Sequence, residues 1–146
     1  MGGKQDLIKS LTPLLKEKGY KKIRQTWRKP GPDLTIVFNI QNSYYDKEDF
    51  YINLGIVINK LMEEHEGTCI TNCQIQQRVP TTDKNGTILS PEILLDILDL
   101  WEQWYGDLLS LRIKAIEGKL PLFSTGQAVS YLTTVALVPR GWKSHS

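Results

Sequence analysis

Through the middle of the chain, apolar and polar positions alternate with a period of two. In Asp33 to Gln41, Leu34, Ile36, Phe38 and Ile40 fall on one side. Thr35, Asn39 and Gln41 fall on the other, with Val37 as the exception. Phe50 to Asn59 repeats the pattern, with Phe50, Ile52, Leu54, Ile56 and Ile58 set against Tyr51, Asn53, Gly55, Val57 and Asn59. Successive side chains of a strand point to opposite faces, so this alternation predicts strands buried on one side. Asn72 to Val79 reads as a weaker strand, with Cys73, Ile75 and Val79 inward and Asn72, Gln74, Gln76 and Arg78 outward. Tyr20 to Lys29 reads as the first strand, ended by the turn signal Lys29-Pro30-Gly31-Pro32-Asp33. Asn42 to Asp49 and Pro80 to Leu89 read as polar loops, the second with Asp83-Lys84-Asn85-Gly86 at its tip. Leu61 to Thr68 fits either an extension of the third strand or a charged turn. Connections this short favour an antiparallel meander.

The ends of the chain change to helical spacing. In Lys4 to Lys18, Leu7, Ile8, Leu11, Leu14 and Leu15 recur on one face, and Gly19 is a stop signal. Pro13 removes a backbone bond inside this stretch. Because the apolar stripe runs through it, a kink is expected in preference to a second helix capped by Thr12. Pro91 to Glu117 predicts one long helix, capped by Ser90, opened by Pro91 and Glu92 and ended by Gly118. Its apolar face is Leu94, Ile97, Trp101, Trp104, Leu108 and Leu111, with the cluster Trp101, Trp104 and Tyr105 read as core. Gly106 inside it costs about 1 kcal/mol relative to Ala and suggests a close approach of another backbone. Ser124 to Val138 reads as a final helix, with Ser124 and Gln127 at capping-box spacing, Ala128, Tyr131, Leu132 and Val135 on its face, and Pro139 as the stop.

Together these elements predict the α+β class. About four strands form an antiparallel meander, and helices cover its apolar face. The opposite face carries amides, hydroxyls and Tyr51, and meets water as antiparallel sheets often do. A length of 146 residues fits one domain, with a loose tail over about 140–146. Hydrophobic residues at 40% and charged residues at 23% are enough for a real core. A net charge of +2 is too mild to demand nucleic acid or an acidic membrane as partner. No apolar run approaches the roughly 20 residues that span a bilayer. The first residues lack the apolar stretch of a signal peptide, and Cys69 and Cys73 are too few for a disulfide framework. These features predict a cytoplasmic protein with free thiols.

Several short stretches carry a family resemblance. After the first helix come Gly19-Tyr20-Lys21-Lys22 and Thr26-Trp27-Arg28, then Asn39-Ile40-Gln41-Asn42-Ser43, then Phe50-Tyr51-Ile52-Asn53-Leu54-Gly55-Ile56. In this order they resemble a family of small bacterial proteins known as domain of unknown function 4304. Cys73 to Arg78 and the Trp-bearing helix are similar to the later half of that family. The resemblance implies an α+β fold, no established activity and no catalytic residues to carry over. Similar domains sit beside secreted bacterial toxins, which implies immunity proteins as a class to consider.

The candidate chemistry is sparse. His65, Cys69 and Cys73 offer three soft ligands, whereas a structural zinc site takes four, so neither metal nor cofactor is expected. A cysteine nucleophile would need His65 as its base, without any familiar motif around it. The carboxylates at Asp46, Glu48 and Asp49, and at Glu63, Glu64 and Glu66, read as solvated loop charge. Lys16, Lys18, Lys21, Lys22, Arg24, Arg28 and Lys29 form a basic run opposed by Glu17 alone. On a single strand Lys22, Arg24 and Arg28 share a face, which suits a phosphate backbone. Lysines also guard edge strands against aggregation. The favoured functional surface is the polar sheet face, with Thr35, Asn39, Gln41, Tyr51, Asn53, Gln74, Gln76 and Arg78, because Tyr, Arg and amides serve protein interfaces well. The expected function is a non-enzymatic protein-binding domain, with a toxin as one partner class. Nucleic acid along Lys21 to Lys29, or an enzyme with an unfamiliar site, are the alternatives, and no membrane role is expected.

Overall fold

A computed structural model describes residues 3–44, 49–61, 73–121 and 123–137. In chain order the elements are α1 (Gly3–Glu17), β1 (Lys21–Ile23), β2 (Thr26–Pro30), β3 (Leu34–Asn42), β4 (Phe50–Ile58), a 3-10 turn (Asn59–Leu61) and β5 (Ile75–Val79). α2 (Pro91–Tyr105), α3 (Leu108–Ile116), β6 (Phe123–Ser124) and α4 (Gly126–Leu137) follow. The strands form one antiparallel sheet in the order β1-β2-β3-β4-β5-β6, so the fold is α+β and the meander is its backbone. The sheet has six strands, not about four.

Part of that difference lies in the first strand. Tyr20 to Lys29 looks continuous in sequence, but the chain reverses at Arg24-Gln25, and Ile23 faces Thr26 across a hairpin. Arg24 takes a φ of 59°, the left-handed conformation that a tight reversal needs, without a glycine to supply it. The last strand, β6, is two residues long and pairs Ile75 with Ser124 and Gln76 with Phe123.

β3 and β4 are the spine of the sheet. They pair without interruption from Leu34 opposite Ile58 to Asn42 opposite Phe50. Their inner face follows the sequence pattern, with Leu34, Ile36, Phe38 and Ile40 meeting Phe50, Ile52, Leu54, Ile56 and Ile58 in the main core. Each such side chain contributes about 1.5–3 kcal/mol by leaving water. Leu7, Leu11 and Leu15 of α1 and Leu94, Leu98, Trp101 and Tyr105 of α2 belong to the same core. α1 runs unbroken through Pro13. Thr12 does not cap a second helix, because its hydroxyl donates to the carbonyl of Ile8 at 2.7 Å.

The predicted long helix is two helices. α2 ends at Gly106, and Asp107 caps α3 by accepting from the amide of Ser110 at 2.8 Å. A Cβ at Gly106 would lie 2.3 Å from the carbonyl oxygen of Glu102, so the close backbone is that of its own preceding turn. The core stripe of α2 is Leu94, Leu98, Trp101 and Tyr105. Trp104 therefore faces outward, 45% exposed, with the Lys114 ammonium 5.5 Å from its ring centre. The cap of α4 is Thr125, which accepts from the amide of Ala128 at 3.1 Å, while Ser124 lies in β6. Ala128 and Leu132 are buried and Tyr131 is half-buried.

A polar clamp ties the sheet to α2. The Tyr20 hydroxyl donates to Glu102 at 2.5 Å, Lys29 stands 3.6 Å from the same carboxylate, and Lys18 pairs with Asp99. Burial, reinforced by the bond to Glu102, pushes the Tyr20 phenol far above its usual range. Among the described residues no helix is long and apolar enough to cross a membrane.

Candidate functional site

The hairpin turn sets which side chains share the outer face. Thr26, Asn39, Asn53 and Arg78 stand directly opposite one another on β2, β3, β4 and β5. Their side chains connect. Asn39 donates to the Thr26 hydroxyl at 2.9 Å, and Asn53 donates to the Asn39 carbonyl oxygen at 3.0 Å. Asn53 also donates to Gln41 at 2.9 Å. Arg78 closes the row, with Nε donating to Asn53 at 3.3 Å and one terminal nitrogen donating to Gln41 at 3.3 Å. The guanidinium lies 4.1 Å from the ring centre of Tyr51, a cation–π contact.

Burial is graded along this network. Asn39 and Asn53 are 8% and 6% exposed, whereas Gln41 and Arg78 are exposed and Tyr51 is half-buried. The inner amides hold one another, and the outer groups are held by them. Two bonds and a stacked ring fix Arg78, a side chain that otherwise carries about 2 kcal/mol of rotamer entropy. Beside it, a pocket of about 680 Å³ is lined by Asn53, Gln76, Gln77, Arg78 and Phe123. Phe123 is 60% exposed.

The other residues expected on this face have local tasks. Gln74 is buried and accepts from the amide of Ile58 at 2.7 Å, so its side chain continues the ladder where β5 has not yet begun. Gln76 donates to the carbonyl of Cys73 at 3.1 Å. Thr35 donates to Asn59 at 2.9 Å. Cys73 is buried with Val37 and Val57 of the outer face, in a small cluster apart from the main core where the strand alternation put it. Asn72, His65, Cys69, Asp46, Glu48, Glu63, Glu64 and Glu66 lie outside the described residues.

The basic strip does not form one surface. Lys22 pairs with Trp27 and its ammonium lies 5.6 Å from that ring, on the helix side of the sheet. Arg24 is at the hairpin tip. Arg28 faces outward opposite Val37, and its Nε is buried with no acceptor. Thr26 is a network member that the sequence reading missed. It falls opposite Asn39 only once the reversal at Arg24-Gln25 is known.

A family model described as Domain of unknown function (DUF4304) matches residues 11–90, more than half of the chain. The chain belongs to the DUF4304 family. No curated protein and no solved structure matches it. The DUF4304 match takes in the C-terminal half of α1, from Leu11, and all of β1 to β5, so every member of the outer-face network lies inside it. α2, α3, β6 and α4 lie beyond it.

Proposed function

We propose that this DUF4304 domain is a non-enzymatic protein-binding module that docks a partner on the outer face of its sheet, through Gln41, Tyr51 and Arg78. The observation that carries the reading is the side-chain network across four strands. It ends in an ordered pair, the exposed Arg78 on the half-buried Tyr51, the residue types that anchor protein interfaces. An anchor held in place before binding loses little entropy on binding.

The charge of the face specifies the partner further. Strand parity puts Lys21, Arg28 and Arg78 on it, and the described strand residues bring no carboxylate to it. The complementary surface is acidic. An immunity-type protein of this kind would cover a toxin whose active site is lined by carboxylates, as in many hydrolases, rather than a basic groove built for nucleic acid.

Tagged full-length protein and its Arg78→Ala variant should be used in parallel to capture partners from lysate of the source cells, with and without nuclease. One stoichiometric protein that survives nuclease and is lost with Arg78→Ala is the expected result. The substitution should cost about 2 kcal/mol, or roughly thirtyfold in affinity. Capture that is indifferent to Arg78→Ala and Tyr51→Ala would move the interface elsewhere. Loss on nuclease would turn the reading to nucleic acid.

A further inference from the structure

A second site lies at the end of the sheet, away from the outer-face network. The β2–β3 turn (Pro32, Asp33), the 3-10 turn after β4 (Asn59, Lys60), α3 (Leu108, Arg112) and α4 (Tyr131) line a pocket of about 540 Å³. That volume suits a small molecule. Its floor is fixed. Asn59 donates to the carbonyl of Gly31 at 2.9 Å and accepts from Thr35 at 2.9 Å, and its amide donates to the carbonyl of Asp33 at 3.0 Å.

The charged groups, in contrast, are unspent. The Nε of Arg112 is buried with no acceptor. Among the described residues neither Arg112 nor Lys60 forms an ion pair, although Asp33 lines the same pocket. A guanidinium keeps its charge at any accessible pH, and a buried donor on it that meets no acceptor costs free energy. Native proteins seldom tolerate such a group without a reason. Among the described lining residues two cations stand against one carboxylate, and Pro32 and Leu108 add an apolar wall.

We propose that this pocket binds a small anionic ligand whose phosphate or carboxylate group takes the fork of Arg112, with Lys60 as the second cation. Oxygens of either group accept two parallel N–H bonds from a guanidinium, and because the Nε of Arg112 is closed off from the pocket, its two terminal nitrogens are the pair to give them. The apolar wall suits a ligand with a short carbon body. Leu108, Arg112 and Tyr131 lie beyond the residues that match the family, whereas Pro32, Asp33, Asn59 and Lys60 lie within them, so the site spans both parts of the chain.

The test is an NMR titration of the isotopically labelled full-length protein with sodium phosphate and, separately, sodium succinate, at ionic strength held constant with sodium chloride. The expected result is a saturable shift of the Arg112 Nε–H resonance and of the Asn59 and Lys60 amides. Arg112→Gln should weaken it by about tenfold or more. Lys60→Gln, at an exposed position, should weaken it severalfold and keeps the test alive if the Arg112 variant does not fold. Saturation by phosphate alone points to a phosphorylated ligand, by succinate alone to a carboxylate, and either supports the site. Shifts spread over all surface lysines and arginines, no saturable shift with either salt, or wild-type binding by both variants would overturn it.

Discussion

The outer-face network makes a quantitative demand on stability, which a double-mutant cycle at Asn39 and Asn53 tests directly. Asn53→Val removes the donor to Asn39 (3.0 Å), the donor to Gln41 (2.9 Å) and the acceptor for Arg78 (3.3 Å). Gln41 and Arg78 are exposed, so water replaces what they lose at little cost. Asn39 is 8% exposed, and its stranded carbonyl oxygen costs about 1–3 kcal/mol. Asn39→Val leaves Asn53 one amide partner, Gln41, and frees a half-buried Thr26 hydroxyl that can rotate toward water, for a cost of about 1–2 kcal/mol. The double variant strands neither amide and puts two β-branched residues on central strands. It should sit within about 1 kcal/mol of wild type where simple addition predicts about 2–5, a coupling of about 2–3 kcal/mol at the middle of that range. Urea unfolding with an unchanged m-value reads this out. If each single change costs under about 0.5 kcal/mol, or the double cost is the sum of the singles, the two amides do not depend on each other. Arg78 then has no rigid platform, and the docking proposal loses its main support. If the coupling is found, the folded double variant should still bind its partner more weakly, because Arg78 has lost the bond it donates to Asn53.

Other predictions concern the helices and the clamp. Gly106→Ala would stabilise one continuous helix by about 1 kcal/mol. Here the added Cβ meets the Glu102 carbonyl oxygen at 2.3 Å, so the substitution should lower the urea midpoint, and a rise would mean that α2 and α3 are one helix. Folded Tyr20 keeps its proton to far higher pH than unfolded Tyr20, which ionises near pH 10. The unfolded state then binds fewer protons, so stability is intact below about pH 10 and falls above it by about 1.4 kcal/mol per pH unit for this group. Lys18, whose ammonium is favoured by its hydrogen bond to Asp99, adds a loss of the same sign at higher pH. Tyr20→Phe should be less stable at neutral pH but show a shallower fall between pH 10 and 11. An unchanged slope would mean that Tyr20 ionises normally in the fold.

Where the sequence was legible, it was legible through burial. The inner positions from Leu34 to Ile40 of β3 and from Phe50 to Ile58 of β4 are all buried, and the period-two pattern records that directly; it does not record that Val37, Asn39, Asn53 and Val57 of the opposite face are buried as well. Ser90, Pro91 and Gly118 mark helix ends because capping chemistry is local. The misreadings come from two interruptions, a hairpin without a glycine and a helix break inside a continuous apolar stripe. The hairpin at Arg24-Gln25 forces an arginine into a positive φ, which no propensity anticipates. The break at Gly106-Asp107 carried a signal, since Asp107 and Ser110 have the spacing of an N-cap, but the apolar stripe ran across it and hid the change of helix axis. That misreading also put Trp104 in the core. For the candidate site, the residues of β3, β4 and β5 could be assigned to one face from alternation alone. The hydrogen bonds among them could not, because they depend on register, and register follows from the hairpin that the sequence disguised.

The two edges of the sheet have a consequence of their own. β1 offers three residues, flanked by lysine charge, and β6 offers two. Among the described residues an incoming extended peptide finds only short stretches of main chain to pair with, such as Gln77 to Val79 of β5 beyond β6, so the domain is a poor template for strand addition or for uncontrolled edge-to-edge association. Recognition then falls to side chains. Unlike a backbone ladder, which accepts many sequences, a side-chain surface can be retuned one residue at a time. Two members of the family could therefore share the sheet and yet refuse each other's partners through changes at positions such as Gln41, Tyr51 and Arg78.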